Sequence, residues 1–238
     1  MDRQSRRHEP RFLSGVEEGA DPPIYAPEGL AKGIPILAVE PVFAEILQRA
    51  GRPRFRRRRN GFGTLLHIIL EQQVSIDAAA AMYKRLLGAC HPLVPETFLA
   101  LDDSTLRSCG FSRQKMGYAR DFAKTVDGGK FNFARLGAAE DAEALAELLS
   151  IKGIGRWSAE IYLLFALGRP DIWPAGDLGL QVAIGDHMGF GTRPDEVEMR
   201  RIGEPWRPWR SVAACLFWQA YLHARGRTAP RLSPELYA

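Results

Sequence analysis

The stretch Leu149-Ser-Ile-Lys-Gly-Ile-Gly-Arg-Trp-Ser-Ala-Glu-Ile-Tyr-Leu-Leu-Phe165 decides how this chain is read. Apolar residues at helical spacing flank its glycines: Leu145, Leu148 and Leu149 before them, Ile161, Leu164 and Phe165 after. Gly153-Ile-Gly155 breaks the pattern between the two stripes. Glycine has no Cβ, so the backbone there can turn sharply and another chain can come close. The pattern predicts two helices joined by a tight hairpin. The N–H groups of Gly155, Arg156 and Trp157 then open the second helix without intrahelical partners, at the positive end of its dipole. Such a terminus suits a phosphate. An ordinary helix–helix turn fits the glycines as well. A dinucleotide-binding loop does not, because Ser158 stands where its third glycine belongs and the preceding segment is helical.

Outward from the hairpin, the chain reads as helix in both directions. Pro41 to Arg49 is a short helix, and Phe62, Leu65, Leu66, Ile69 and Leu70 form a stripe that starts a longer one. Ser75 is placed to cap a helix over Ala78 to Leu87. Further helices are expected over Pro95 to Leu101, from a Ser104 cap to Ser108 before Gly110, and from about Arg113. Beyond the hairpin, Asp177 precedes a helical stretch from Leu178 to His187, and Trp209, Ala213, Leu216 and Ala220 mark a late helix. No segment alternates with the period of a strand and no repeat recurs, so the class is all-α. Residues 1–35 are polar and rich in Pro and Gly, which predicts a loosely ordered arm before a single domain over 36–238. Arg54-Phe-Arg-Arg-Arg-Arg59 is a basic run, either solvated or in contact with phosphate.

Composition narrows the partners. The 238 residues are 46% hydrophobic, enough for a substantial core, yet no apolar run approaches the roughly 20 residues of a membrane helix. The N-terminal MDRQSRRHEPRF has charge but no apolar segment of a secretory signal. Cys90, Cys109 and Cys215 are odd in number and widely spaced, with no disulfide, zinc or iron–sulfur pattern, so a reducing cytoplasm is the expected home and a membrane is not an expected partner. The net charge is only +4, but 26 of the 32 basic residues are arginine. Arginine's planar fork suits phosphate and base stacking, although a GC-rich genome produces the same bias.

Four stretches together resemble the helix-hairpin-helix DNA glycosylases, in particular the branch of 3-methyladenine DNA glycosylase II. They are "FGTLLHIILEQQVS", "GFSRQKMGYARDFA", "LSIKGIGRWSA" with "WPAGDLGL", and "WRPWRSVAACLFW", in the family's order over about Pro41 to Tyr221. The resemblance implies two helical subdomains with an active-site cleft between them, in a compact form lacking the branch's N-terminal β domain. It implies excision of alkylated purines such as 3-methyladenine and 7-methylguanine from double-stranded DNA, as a step of base excision repair; the sequence does not give the oligomeric state, and a monomer is the default expectation. Removal of deaminated or mismatched bases, or damage binding without catalysis, stays open beside it.

The same resemblance assigns roles to residues. Asp177 becomes the carboxylate that stabilises the sugar cation and orients water as the base leaves; from sequence alone it is equally a helix cap. Trp157 and Trp218 become the stacking faces for a cationic base, against the plain alternative of core aromatics. Ile161 stands where the branch carries an active-site tyrosine. Gln72 and Gln73 occupy the minor-groove wedge that fills the gap left by a flipped base. Gly153, Gly155, Arg156 and Ser112 become DNA-backbone contacts. The backbone carbonyls of Leu149, Ile151 and Ile154 would hold Na+ or K+, with no cofactor needed for catalysis. Relatives that also cut the strand carry a lysine nucleophile where this chain has Trp157, so a monofunctional, water-using enzyme is implied.

Overall fold

A computed structural model of the protein describes residues 30–53, 57–228 and 234–236. Among them thirteen α-helices and no strand occur. In chain order they are α1 (Leu30–Leu37), α2 (Pro41–Ala50), α3 (Phe62–Glu71), α4 (Ile76–Ala89), α5 (Pro95–Leu99), α6 (Asp103–Ser108) and α7 (Arg113–Asp127). Then come α8 (Phe133–Ala138), α9 (Asp141–Leu149), α10 (Arg156–Phe165), α11 (Leu178–His187), α12 (Glu196–Gly203) and α13 (Arg210–His223).

Two groups of helices form. In one, α3 packs on α4, α7 and α10, α5 packs on α7, and α9 packs on α10. In the other, α13 packs against α1, α2 and α11. Helices α10 and α13 are the inner members. Every residue of α10 from Ser158 to Phe165 is buried, and so is most of α13. The Trp209, Ala213, Leu216 and Ala220 stripe is therefore only part of what α13 buries, because neighbours enclose the helix on nearly all sides. A helix that is apolar all round can only be an interior one.

Local chemistry fixes most helix ends. Ser75, Ser112 and Asp177 cap their helices by accepting the N–H three residues on, from Ala78, Lys115 and Leu180. At α6 the cap is Asp102 and not Ser104, whose hydroxyl donates to the Asp102 carboxylate instead. A carboxylate can accept from both, so it outcompetes the hydroxyl. Helices α8 and α12 were not anticipated. Each spans only about two turns, although Asp195 and Glu198 form a capping box that marks the start of α12.

Two expectations about polar segments change. Helix α1 begins at Leu30 and buries Ile34 and Leu37, so the helical body starts within the stretch expected to be a loose arm; residues 1–29 lie outside the described part. Of the basic run, residues 54–56 also lie outside it. Arg58 is neither solvated nor available to phosphate: it is 7% exposed and bidentate to Glu71, at 3.0 and 2.9 Å.

Candidate active site

The hairpin is built as the glycines predict, but its two glycines do different work. Gly153 has φ +87°, and a Cβ there would sit 2.3–2.8 Å from the Tyr118 ring of α7, so both conformation and space require glycine. Gly155 is the cap residue of α10 in extended backbone, supplies no capping side chain, and has nothing near its missing Cβ. The start of α10 is thus open on the side where a phosphate would approach.

Helix α3 ends against this hairpin. Gln72 Nε2 donates to Gly153 O at 2.9 Å and to Ser158 Oγ at 3.0 Å. Its side chain is committed to holding the hairpin and cannot serve as a wedge. Gln73 is exposed, and among the described residues it is the non-glycine with positive φ, at 57°. Such a conformation strains a residue with a Cβ and recurs at functional turns. Lys115 Nζ donates to Leu70 O at 2.8 Å, with burial lowering its pKa, so a cation sits on the C-terminal carbonyls of α3. Ser112 is exposed, its hydroxyl used as the α7 cap.

Arg156 is half-exposed and pairs with Glu160 one turn along, at 3.1 Å. Burial pushes the Glu160 carboxyl up against the opposing hydrogen bond and charge of Arg156. Both residues line a cavity of about 400 Å³ with Trp173, Arg200 of α12 and Arg210 of α13; Asp177 is not part of it. Of the carbonyls expected to hold a cation, that of Ile151 accepts the Ile154 N–H at 3.0 Å and closes the turn. A carbonyl oxygen has a second lone pair, so this bond by itself leaves Ile151 O able to accept a further partner.

The centre of the site is Asp177, in the loop between α10 and α11. Pro174 accepts the Asp177 N–H at 2.9 Å, and Gln181 Nε2 donates to Ala175 O, which folds the loop back on α11. The carboxylate then takes three N–H donors. Leu180 N donates to Oδ1 at 2.7 Å, Trp218 Nε1 to Oδ1 at 2.9 Å, and Trp157 Nε1 to Oδ2 at 2.9 Å. Trp157 comes from α10 and Trp218 from α13, so each helix group contributes one indole. No arginine or lysine pairs with Asp177 among the described residues. The carboxylate is fixed in direction by neutral dipoles, and its negative charge is not cancelled by an ion pair.

Trp157 and Trp218 were expected as stacking faces. They are equally the donors that aim Asp177, a role that no local pattern in the sequence displays. Trp218 is 9% exposed with one face stacked on Phe165, centroids 5.6 Å apart at 25°. Trp157 is half-buried. Ile161 is 4% exposed and belongs to the core. Tyr162 points elsewhere: its hydroxyl donates to Asn60 Oδ1 at 2.6 Å and accepts the Gly61 N–H at 2.8 Å, tying α10 to the segment before α3.

Known proteins resemble the chain in sequence and in fold. Residues 66–208 match the HhH-GPD superfamily of base excision DNA repair proteins, and the chain belongs to that family. Among its relatives is the putative DNA-3-methyladenine glycosylase YfjP of Bacillus subtilis, 30% identical over 67% of this chain and 58% of the relative. The chain thus spans somewhat over half of that protein's length. The alkylbase DNA glycosidase-like protein mag2 of Schizosaccharomyces pombe is 28% identical over 68% of this chain and 79% of its own. Among solved structures, that of 3-methyladenine DNA glycosylase Mag1 from the same yeast, in complex with abasic DNA, superposes with a TM-score of 0.74. It is 25% identical, over 79% of this chain and 95% of Mag1. DNA-3-methyladenine glycosidase from Bacillus halodurans gives 0.69 at 31% identity, over 85% and 94%.

Proposed function

We propose that this protein is a monofunctional DNA glycosylase that releases alkylated purines from double-stranded DNA and leaves an abasic site for base excision repair. The observation that carries the reading is the Asp177 carboxylate, held by Trp157, Trp218 and the Leu180 N–H with no cation beside it. The names of the relatives support the choice of substrate.

The chemistry follows from that arrangement. The C1′–N bond breaks with its electron pair going to the base, so a base that was cationic leaves neutral. The sugar becomes an oxocarbenium ion, and a fixed carboxylate beside it lowers the barrier because its charge needs no reorganisation. Water then adds at C1′ and gives up a proton to solvent by way of the Asp177 carboxylate. Lysine chemistry has no support at this centre. Lys152 pairs with Asp121 of α7 at 3.3 Å, and Lys115 is bonded to Leu70 O. An indole cannot form an imine.

The duplex is held, in this reading, by the open start of α10 around Gly153, Gly155 and Arg156, and by the Ser112 end of α7. Gln73 faces the gap left by the extruded base. A Na+ or K+ on the Leu149, Ile151 and Ile154 carbonyls would add positive charge beside the phosphate.

The test is incubation with duplexes carrying 7-methylguanine, hypoxanthine or a mismatch. Free base is measured, and the strand is run with and without hydroxide beside a borohydride trapping lane. Release of 7-methylguanine, an intact strand cut only by alkali, and no trapped adduct are expected; substituting tetramethylammonium for sodium and potassium should weaken duplex binding. A borohydride adduct would overturn the monofunctional assignment, and release confined to the other duplexes would overturn the substrate.

A further inference from the structure

Behind Trp218 lies a buried charge pair that the chemistry above does not use. The Phe165 ring stacks on Trp218, and the Arg58 guanidinium lies over that same Phe165, 5.3 Å from its centroid. The Arg58 backbone N–H donates to Phe165 O at 2.8 Å, which fixes the two residues together. Guanidinium, phenyl and indole are thus linked in turn, Arg58 against Phe165 and Phe165 against the indole bonded to Asp177. Left alone, Arg58 would place a full positive charge against a ring that touches that indole. Arg58, Phe165 and Trp218 are all buried, so screening by water is weak.

Glu71 cancels that charge. Both its oxygens accept from Arg58, and it sits on the last turn of α3, its side chain 8% exposed. Burial by itself would push the Glu71 carboxyl up, but the charge and hydrogen bonds of Arg58 outweigh it and hold the group below its usual range. His67, 3.3 Å from Glu71 Oε1, makes no hydrogen bond through either ring nitrogen, and burial brings its pKa down to about 4. It is neutral near pH 7, so the charges within the group of Arg58, Glu71 and His67 sum to zero.

We propose that Glu71 is a specificity-determining residue: by neutralising Arg58 beneath the Phe165–Trp218 stack, it lets the Asp177 charge act undiminished, so that the site prefers a cation to a neutral group of the same shape. This rests on the reading of Asp177 given above. It predicts unequal effects for the two partners. Removing the carboxylate exposes a positive charge and lowers the preference; removing the guanidinium takes away what holds Glu71 ionised, burial pushes the carboxyl to its neutral form, and the local charge stays near zero. Loss of packing alone would move both in the same direction.

The test uses two duplexes with abasic analogues of nearly the same shape, one a pyrrolidine protonated at neutral pH and one the neutral tetrahydrofuran. The readout is the ratio of their dissociation constants for the intact protein. Wild type should favour the pyrrolidine. Glu71→Gln should cut that preference about 3- to 10-fold, as expected for one charge acting through protein interior, and Arg58→Met should leave it within about twofold. The double variant R58M/E71M, an apolar replacement of a buried pair that such sites tolerate, should return the wild-type ratio. If Glu71→Gln does not fold, Glu71→Ala, which leaves room for the freed guanidinium to hydrate, replaces it. Preference lost in the folded double variant, unmoved in the folded Glu71 variant, or lowered equally in Arg58→Met would overturn the proposal while leaving Asp177 in place. A wild type that binds the two duplexes equally would overturn the reading of Asp177, and this proposal with it.

Discussion

Two aspartates in the loop between α10 and α11 are held in opposite ways. Asp171 is locked by cations: Arg210 Nε reaches Oδ1 at 2.7 Å, while Arg207 Nη1 and Arg210 Nη2 both reach Oδ2 at 3.0 Å. Asp177 is locked just as firmly, but by two indoles and a backbone amide. Both side chains are fixed. Only the second keeps a charge that a developing sugar cation could use, because the guanidinium groups have already consumed the first. The lesson is that firmness and charge are separable: neutral N–H donors orient a carboxylate without cancelling it. An arginine in the place of either tryptophan would hold Asp177 equally well and defeat its purpose.

The contrast can be broken most directly by neutralising each aspartate in turn. Asp177→Asn keeps size and much of the capping ability. Release of 7-methylguanine under single-turnover conditions should fall by about 10²–10³ or more, with duplex binding little changed. Asp171→Asn should leave release within about threefold and cost about 1–3 kcal/mol of stability, a few degrees in Tm by calorimetry. Near wild-type release by folded Asp177→Asn would remove that residue from the mechanism. A large rate loss in Asp171→Asn without a Tm change would show that the two sites are not separate.

A smaller effect sharpens the same point. Trp157→Phe and Trp218→Phe each remove one N–H donor and leave the carboxylate charge intact. Each should slow release by about tenfold, the scale of one hydrogen bond to a charged group. A loss as large as that of Asp177→Asn would mean that the indoles do more than aim the carboxylate; no loss would mean that the Leu180 N–H suffices.

The smallest effect concerns stability one layer deeper. His67 is buried and neutral, its folded pKa depressed from 6.5 to about 4. The unfolded chain therefore binds a proton first as pH falls. The stabilisation is complete above about pH 6.5 and is lost as pH drops through the folded value, by an amount on the order of 3 kcal/mol. Tm should decline between pH 6.5 and 4.5, and His67→Phe should flatten that decline without altering base release at neutral pH. An unchanged slope would show that His67 does not drive it.

Much of this architecture is legible along the chain. The glycine pair at 153 and 155 marks the hairpin, and Ser75 and Asp177 announce their helices, because helix stripes, breaks and caps are set by residues within one or two turns of each other. The resemblance points to Asp177, Trp157 and Trp218 as a set. Short elements such as α8 and α12 escape, since six to eight residues carry too little periodicity to rise above the background.

By itself the sequence determined that the chain is all-helical, where the hairpin falls and which carboxylate follows it. Only the tertiary structure decided what those residues touch. Trp157 and Trp218 lie 20 and 41 residues from Asp177 and reach it from two helix groups. Gln72 crosses 81 residues to hold Gly153, and an arginine in a basic run turns inward to Glu71 and Phe165. A hydrogen bond is satisfied by whichever partner packing brings within about 3 Å, and the spacing of residues along a chain does not say which partner that will be.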